Sequence, residues 1–159
     1  MTNVKKLMSS TVTACRPDTT LTEVAQLMWE RDCGFVPITE GEGDRLVGVI
    51  TDRDICMAGF VKGVPLANIT IRDVMTGRTF TCQETDDLAT VHDLMRSHQI
   101  RRLPVVDASQ GLLGVVSLND LALNSLKDKK EVTKVAQTLA AVCQHWQKIS
   151  DAPTTVSTN

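Results

Sequence analysis

Four polar side chains recur as two pairs, Thr51 with Asp54 and Ser117 with Asp120. Each pair closes an apolar stretch, Gly48-Val49-Ile50 in one copy and Gly114-Val115-Val116 in the other, so a hydroxyl is followed three positions on by a carboxylate. Two chemistries fit this spacing. In a capping box the hydroxyl and the acid satisfy the orphan amides at the start of a helix. Alternatively, the free N–H groups and dipole of that helix start favour an anion, so the hydroxyl and nearby amides can hold a phosphate. The carboxylate one turn in can then accept from a ribose diol. Gly48 and Gly114 would allow close backbone approach. One copy alone favours the cap, whereas two copies favour a shared ligand site.

The elements that must position these pairs are themselves duplicated. Met8 and Met75, Cys15 and Cys82, Leu21 and Leu88, Val24 and Val91, and Pro37 and Pro104 all stand 67 positions apart, and after a one-residue deletion Asp54 matches Asp120. A period this long, found only twice, predicts a pseudo-symmetric pair rather than an array. In the first unit Val4 to Met8 reads as a helical turn and Val12 to Ala14 as a short strand. Leu21, Val24, Ala25, Leu27 and Met28 keep helical spacing, with Thr20 and Glu23 as a capping box and Gly34 as the stop. Phe35 to Thr39 and Leu46 to Ile50 read as a hairpin, followed by a helix from Asp52 to about Val61. The second unit replays this order.

The expected organisation is therefore α+β: repeat 1 over 1–63, a linker over 64–70, repeat 2 over 71–127, a C-terminal amphipathic helix over 128–150 and a frayed tail over 151–159. Two sheets packed together would bury what neither unit can bury alone, leaving a cleft between the repeats. In the C-terminal helix Val132, Val135, Leu139, Val142, Cys143, Trp146 and Ile149 form a stripe that would dock on the body or recruit a partner.

Composition narrows the function classes. The 159 residues are 42% hydrophobic and 23% charged, with a net charge of -2, and hold no Tyr, three Phe and two Trp. That balance argues against broad nucleic-acid binding, which needs a basic face and stacking platforms. No apolar run approaches a membrane span and the N-terminus lacks a secretory core, so a cytoplasmic protein is expected. Five cysteines without a C-x-x-C pair read as reduced and mostly buried, and three scattered histidines give no metal spacing. No nucleophile stands with a base and no Gly-Lys-[Ser/Thr] run occurs, so catalysis is not expected.

The duplicated order of entry turn, Pro strand and G-h-h-[TS]-x-x-D ending resembles a tandem pair of cystathionine-beta-synthase (CBS) domains, the Bateman module, over Val4 to Leu126. The resemblance implies a non-catalytic sensor with two inter-repeat sites for adenosine ligands such as AMP, ADP, ATP, S-adenosylmethionine or NAD(H). It implies that Asp54 and Asp120 hold ribose hydroxyls and that Thr51 and Ser117 lie near ribose and phosphates. Ala14, Thr81, Cys33 and Ile100, with Val49 and Val115, would line the adenine pockets. Arg101 and Arg102 precede the second Pro strand, where family members place a phosphate-binding base; repeat 1 has Gly34 and Phe35 there, with Arg53 as its substitute. Unequal sites follow. With no catalytic or transport unit in the sequence, the module would act as a homodimer or on a separate regulated protein. The competing expectation is a ligand-free structural or stress-response module that works through its C-terminal helix.

Overall fold

In the computed structural model, which describes residues 3–75, 77, 79–126 and 128–144, five helices and two small sheets follow the duplicated order. Repeat 1 holds α1 (Leu21–Glu30), β1 (Phe35–Glu40), β2 (Arg45–Thr51) and α2 (Asp52–Lys62). Repeat 2 holds β3 (Cys82–Gln83), α3 (Leu88–His98), β4 (Arg102–Val106), β5 (Leu112–Ser117) and α4 (Leu118–Ser125), and α5 (Lys129–Val142) follows. The expected capping box on α1 is present: Thr20 Oγ1 accepts from the Glu23 amide, and Glu23 accepts from the Thr20 amide.

The pseudo-symmetry reaches single backbone groups. Both hairpins are antiparallel and carry a bulge at matching places, between Ile38 and Thr39 and between Val105 and Val106. Asp44 and Gln110, both left-handed, turn the two hairpins toward each other. The Leu46 amide donates to the Gln110 carbonyl at 2.9 Å, and the Leu112 amide to the Asp44 carbonyl at 3.1 Å. The hairpin tips are thereby stitched together, and the sheets face one another across the cleft.

The entry turns cross over between the repeats. Val4 is buried with Val91, Met95, Leu103 and Leu121 of repeat 2, and the Ser9 amide bonds the Val115 carbonyl. Reciprocally, Ile69 and Ile71 are buried with Leu21, Ile38 and Ile50 of repeat 1, and the Ile71 amide bonds the Thr19 carbonyl. The sequence repeat and the packing unit thus differ, because each apolar core is completed by the segment that enters the other repeat. Burying such a Leu, Ile or Val contributes about 1.5–3 kcal/mol, which makes the two halves interdependent.

Four local expectations are corrected. The strand expected at 12–14 reduces to one parallel bridge from Cys15 to Ile38, whereas repeat 2 has the two-residue β3. The next residue but one is Pro17, which has no N–H to extend the ladder. Gly34 does not end α1: the chain leaves the helix at Arg31 and turns at Asp32 with φ 48, as Gln99 does after α3 with φ 51. The cysteines are not mostly buried, since Cys56 and Cys143 are exposed, Cys15 and Cys33 half-buried and only Cys82 buried. The C-terminal helix starts at Lys129, capped by Asp128, and its described part ends at Val142. Trp146, Ile149 and the expected tail lie outside the described residues.

Helix α5 docks on α3 and α4. Thr138, fully buried, lies 2.8 Å from Nδ1 of the buried His92, and Gln99 Nε2 donates to the Ala141 and Gln144 carbonyls. Val132 and Leu139, on the other side of the stripe, remain nearly half exposed.

Candidate functional site

Both motif pairs form helix caps. The Asp54 amide donates to Thr51 Oγ1 at 3.2 Å, while Asp54 Oδ2 accepts from the Thr51 amide at 2.9 Å and the Thr51 hydroxyl at 2.7 Å. Ser117 and Asp120 repeat this at 3.2, 2.8 and 2.6 Å. The cap contacts of each carboxylate run through Oδ2, so Oδ1 takes no part in the cap. The cap also fixes where the hydroxyl points, at the seam between strand and helix.

Between the repeats lies a cavity of about 300 Å³ lined by Phe35, Val49 and Thr51 of repeat 1 and by Thr79, Phe80, Ile100, Arg101, Arg102 and Pro104 of repeat 2. Its walls are largely apolar. Phe80 stacks on His98 with ring centroids 3.5 Å apart and planes inclined by 12°, which sets the Phe80 ring in place on the cavity wall. Thr79 Oγ1 is buried with no hydrogen-bond partner among the described residues. A polar atom left unsatisfied in this way costs free energy that a ligand donor or acceptor would recover.

Arg101 and Arg102 also line a second, polar cavity of about 260 Å³, with Gly34, Asp52, Ser117 and Asn119. The two arginines thus join an apolar chamber to a polar one. Arg101 is exposed and Arg102 half-buried, and neither forms an ion pair among the described residues. Uncompensated guanidinium groups offer planar, multidentate donors suited to phosphate or carboxylate.

Among the residues singled out from the sequence, Val49, Thr51, Ile100, Arg101 and Arg102 meet in the first cavity, and Ser117 joins the arginines in the second. Cys33 lines a different hollow, between α1 and α2. Asp54 and Asp120 stand half-buried behind their hydroxyl partners, Arg53 is exposed, and Ala14, Thr81 and Val115 are half-buried outside the linings of these cavities. Gly114 is approached by the chain itself: a Cβ there would lie 2.7 Å from the Ser9 carbonyl oxygen. The sequence reading missed Phe35, Thr79, Phe80, Pro104 and Asp52. The available signal was the apolar Phe80 one residue before Thr81, in the strand-entry segment already marked as pocket wall.

The family model of the CBS domain matches residues 4–60 and 71–127. The CBS domain-containing protein YhcV of Bacillus subtilis is 35% identical over 129 residues, covering 81% of this chain and 89% of its own. Hypoxic response protein 1 of Mycobacterium tuberculosis is 34% identical over 122 residues, covering 77% and 84%. A crystal structure of Hypoxic Response Protein I with two coordinated zinc ions superposes with a TM-score of 0.69 at 33% identity, over 78% of this chain and 99% of that one. The CBS domain pair of protein MJ0100, in complex with 5-methylthioadenosine and S-adenosyl-L-methionine, superposes with a TM-score of 0.72 at 26% identity, over 81% and 99%. Among the described residues no group of three or more His, Cys, Asp or Glu side chains could hold a metal ion.

Proposed function

Because this chain belongs to the CBS domain family, as a tandem pair, we propose that it is a non-catalytic regulatory module that binds an adenosine-type ligand between its repeats. The observation that carries this reading is the junction of the two cavities. The chamber walled by Phe35, Val49, Phe80, Ile100 and Pro104 suits a flat base, and the unsatisfied Thr79 hydroxyl supplies a polar contact at its wall. Arg101 and Arg102 stand where the chamber opens into the polar cavity, in reach of a phosphate or another anionic group. The ligands held by the MJ0100 pair, both adenosine compounds, support the same class.

Regulation follows from the placement of the walls. Thr51 and Val49 come from one repeat and Arg101, Arg102 and Phe80 from the other, so a bound ligand contacts both. It favours whichever arrangement of the repeats fits it best, and a partner that distinguishes the arrangements reads its presence. The module signals through contacts between two copies or with a regulated protein. Isothermal titration with AMP, ATP, S-adenosylmethionine and NADH tests the reading, repeated on Asp54→Ala and Asp120→Ala variants whose folding is checked by circular dichroism. Saturable heat with at least one ligand, reduced in one of the folded variants, is expected. Silence with all four ligands overturns the reading, as does unchanged binding by both variants.

A further inference from the structure

The polar cavity beside the chamber sets a carboxylate against its cations. Asp52 lines it with Arg101 and Arg102, opposite in charge to both, yet it forms no ion pair among the described residues. The arginines also line the apolar chamber, whereas Asp52 does not. A ligand whose base fills the chamber therefore reaches the arginines at the junction, and only groups that extend into the polar cavity meet Asp52.

Asp52 is held from two sides. Its Oδ1 accepts from the Arg53 amide at 2.8 Å, and its own amide is tied to the Gly34 carbonyl at 3.3 Å. Oδ2 lies so close to Gly34 that an added Cβ there would stand 2.6 Å from it. The carboxylate thus fills the room that the missing side chain of Gly34 leaves. Repeat 2 exchanges both partners at once, with Arg101 at the position of Gly34 and the buried Leu118 at that of Asp52. An acid at a helix start also suits the helix dipole. Asp54 in the same turn meets that need as well, so the dipole alone does not require a carboxylate on the cavity wall.

Charge then sorts ligands by their tails. A phosphate monoester carries about -1.5 to -2 at neutral pH, which two guanidinium groups balance. Each further phosphate adds negative charge with no further cation among the described lining residues, and brings it toward the Asp52 carboxylate. Like charges set against each other in a binding site oppose association. We propose that Asp52 is the specificity-determining residue of the nucleotide site, admitting an adenosine ligand with a single phosphate and opposing a di- or triphosphate tail. The proposal rests on the adenosine-binding reading above and adds to it the length of the anionic tail.

Titration calorimetry of the full chain with AMP and with ATP, in the presence of chelator, tests it on the wild type, Asp52→Asn and Asp52→Glu. Asp52 is exposed, so both variants should keep the wild-type circular dichroism. The wild type should bind AMP at least about tenfold more tightly than ATP, and Asp52→Asn should bring the two within about threefold, chiefly by tightening ATP. Asp52→Glu, which keeps the charge, should keep the preference. A merely structural role would move both ligands alike. An AMP-to-ATP ratio unchanged in Asp52→Asn overturns the proposal and leaves the adenosine-binding reading standing. So does ATP binding that the wild type shows only with added magnesium and that Asp52→Asn loses, because a cation would then sit between the carboxylate and the phosphates. Binding of neither nucleotide overturns the proposal, and the four-ligand titration given above then decides the adenosine-binding reading itself.

Discussion

The Leu118 amide donates to the Arg101 carbonyl at 2.9 Å, and its counterpart, the Asp52 amide, donates to the Gly34 carbonyl at 3.3 Å. These bonds tie the first residue of each motif helix to the residue three before the proline of the same repeat's strand. In repeat 2 the tie fixes an arginine at the mouth of the cavity, and in repeat 1 it fixes a glycine. The difference in charge between Arg101 and Gly34 is therefore built on a symmetric backbone.

Arg101→Ala and Arg102→Ala should each weaken AMP binding by about tenfold to a hundredfold, because a hydrogen bond to a charged group is worth about 1.5–3 kcal/mol. Half-buried Arg102 should cost the more of the two. Binding of uncharged adenosine should be unchanged. Titration calorimetry with both ligands reads the difference, and equal losses for adenosine and AMP would show that the arginines only support the fold.

Ser117 caps α4 while facing the polar cavity. Ser117→Ala should cost about 1 kcal/mol of stability in urea unfolding, the usual worth of such a cap. A loss of ligand affinity without that loss of stability would mean that the hydroxyl serves the ligand and not the helix.

Gly114→Ala drives a Cβ to 2.7 Å from the backbone oxygen of Ser9 and 3.1 Å from Met8 Sδ. Backbone cannot yield as a side chain can, so the crossover of the entry turn must shift, at about 1–3 kcal/mol. Gly77, with no atom of the described residues within 4 Å of its added Cβ, is the control. Chemical denaturation should separate Gly114→Ala from a near-neutral Gly77→Ala, and equal midpoints would contradict the packing described for Ser9.

His92 supplies a pH dependence. Burial holds its pKa below the ordinary imidazole value; Glu131 pulls it back up, Arg96 and Lys134 push it down and Asp93 pulls it up. Its Nε2 is buried without a hydrogen-bond partner among the described residues, so a proton there finds no acceptor among them. The folded chain therefore takes up the proton less readily than the unfolded chain. The associated stability is complete above the unfolded value of about 6.5 and declines as pH falls below it. The thermal midpoint of the wild type should drop between about pH 7.5 and 5.5, and His92→Gln should flatten that drop. Parallel profiles would place the titration elsewhere.

The thiols should divide by burial. Desolvation, with a smaller contribution from Asp86, pushes the Cys82 thiol up to about 12, and burial also raises Cys15. Reaction needs the thiolate. Alkylation of the native protein near neutral pH, followed by mass spectrometry, should label the exposed Cys56 and Cys143 first and Cys82 only after denaturation. Early labelling of Cys82 would contradict its burial.

The duplication was legible in the sequence because it is written in apolar spacing, which fixes helix faces and strand alternation locally. Leu21 to Met28 had to form a helix capped by Thr20, and Thr51 and Ser117 had to stand at helix starts. The difference in charge between the two repeats at this position was legible too, since Arg101-Arg102 stands where the other repeat has Gly34-Phe35. Only the tertiary structure decided that Val4 completes the core of repeat 2 and Ile71 that of repeat 1, because local spacing does not say which copy of a duplicated core an apolar turn enters. It likewise separated Cys33, on the hollow between α1 and α2, from Ile100, its repeat counterpart on the cleft. Positions related by the repeat line different cavities because the elements packed beside them, not the spacing to the motif, set what each side chain faces.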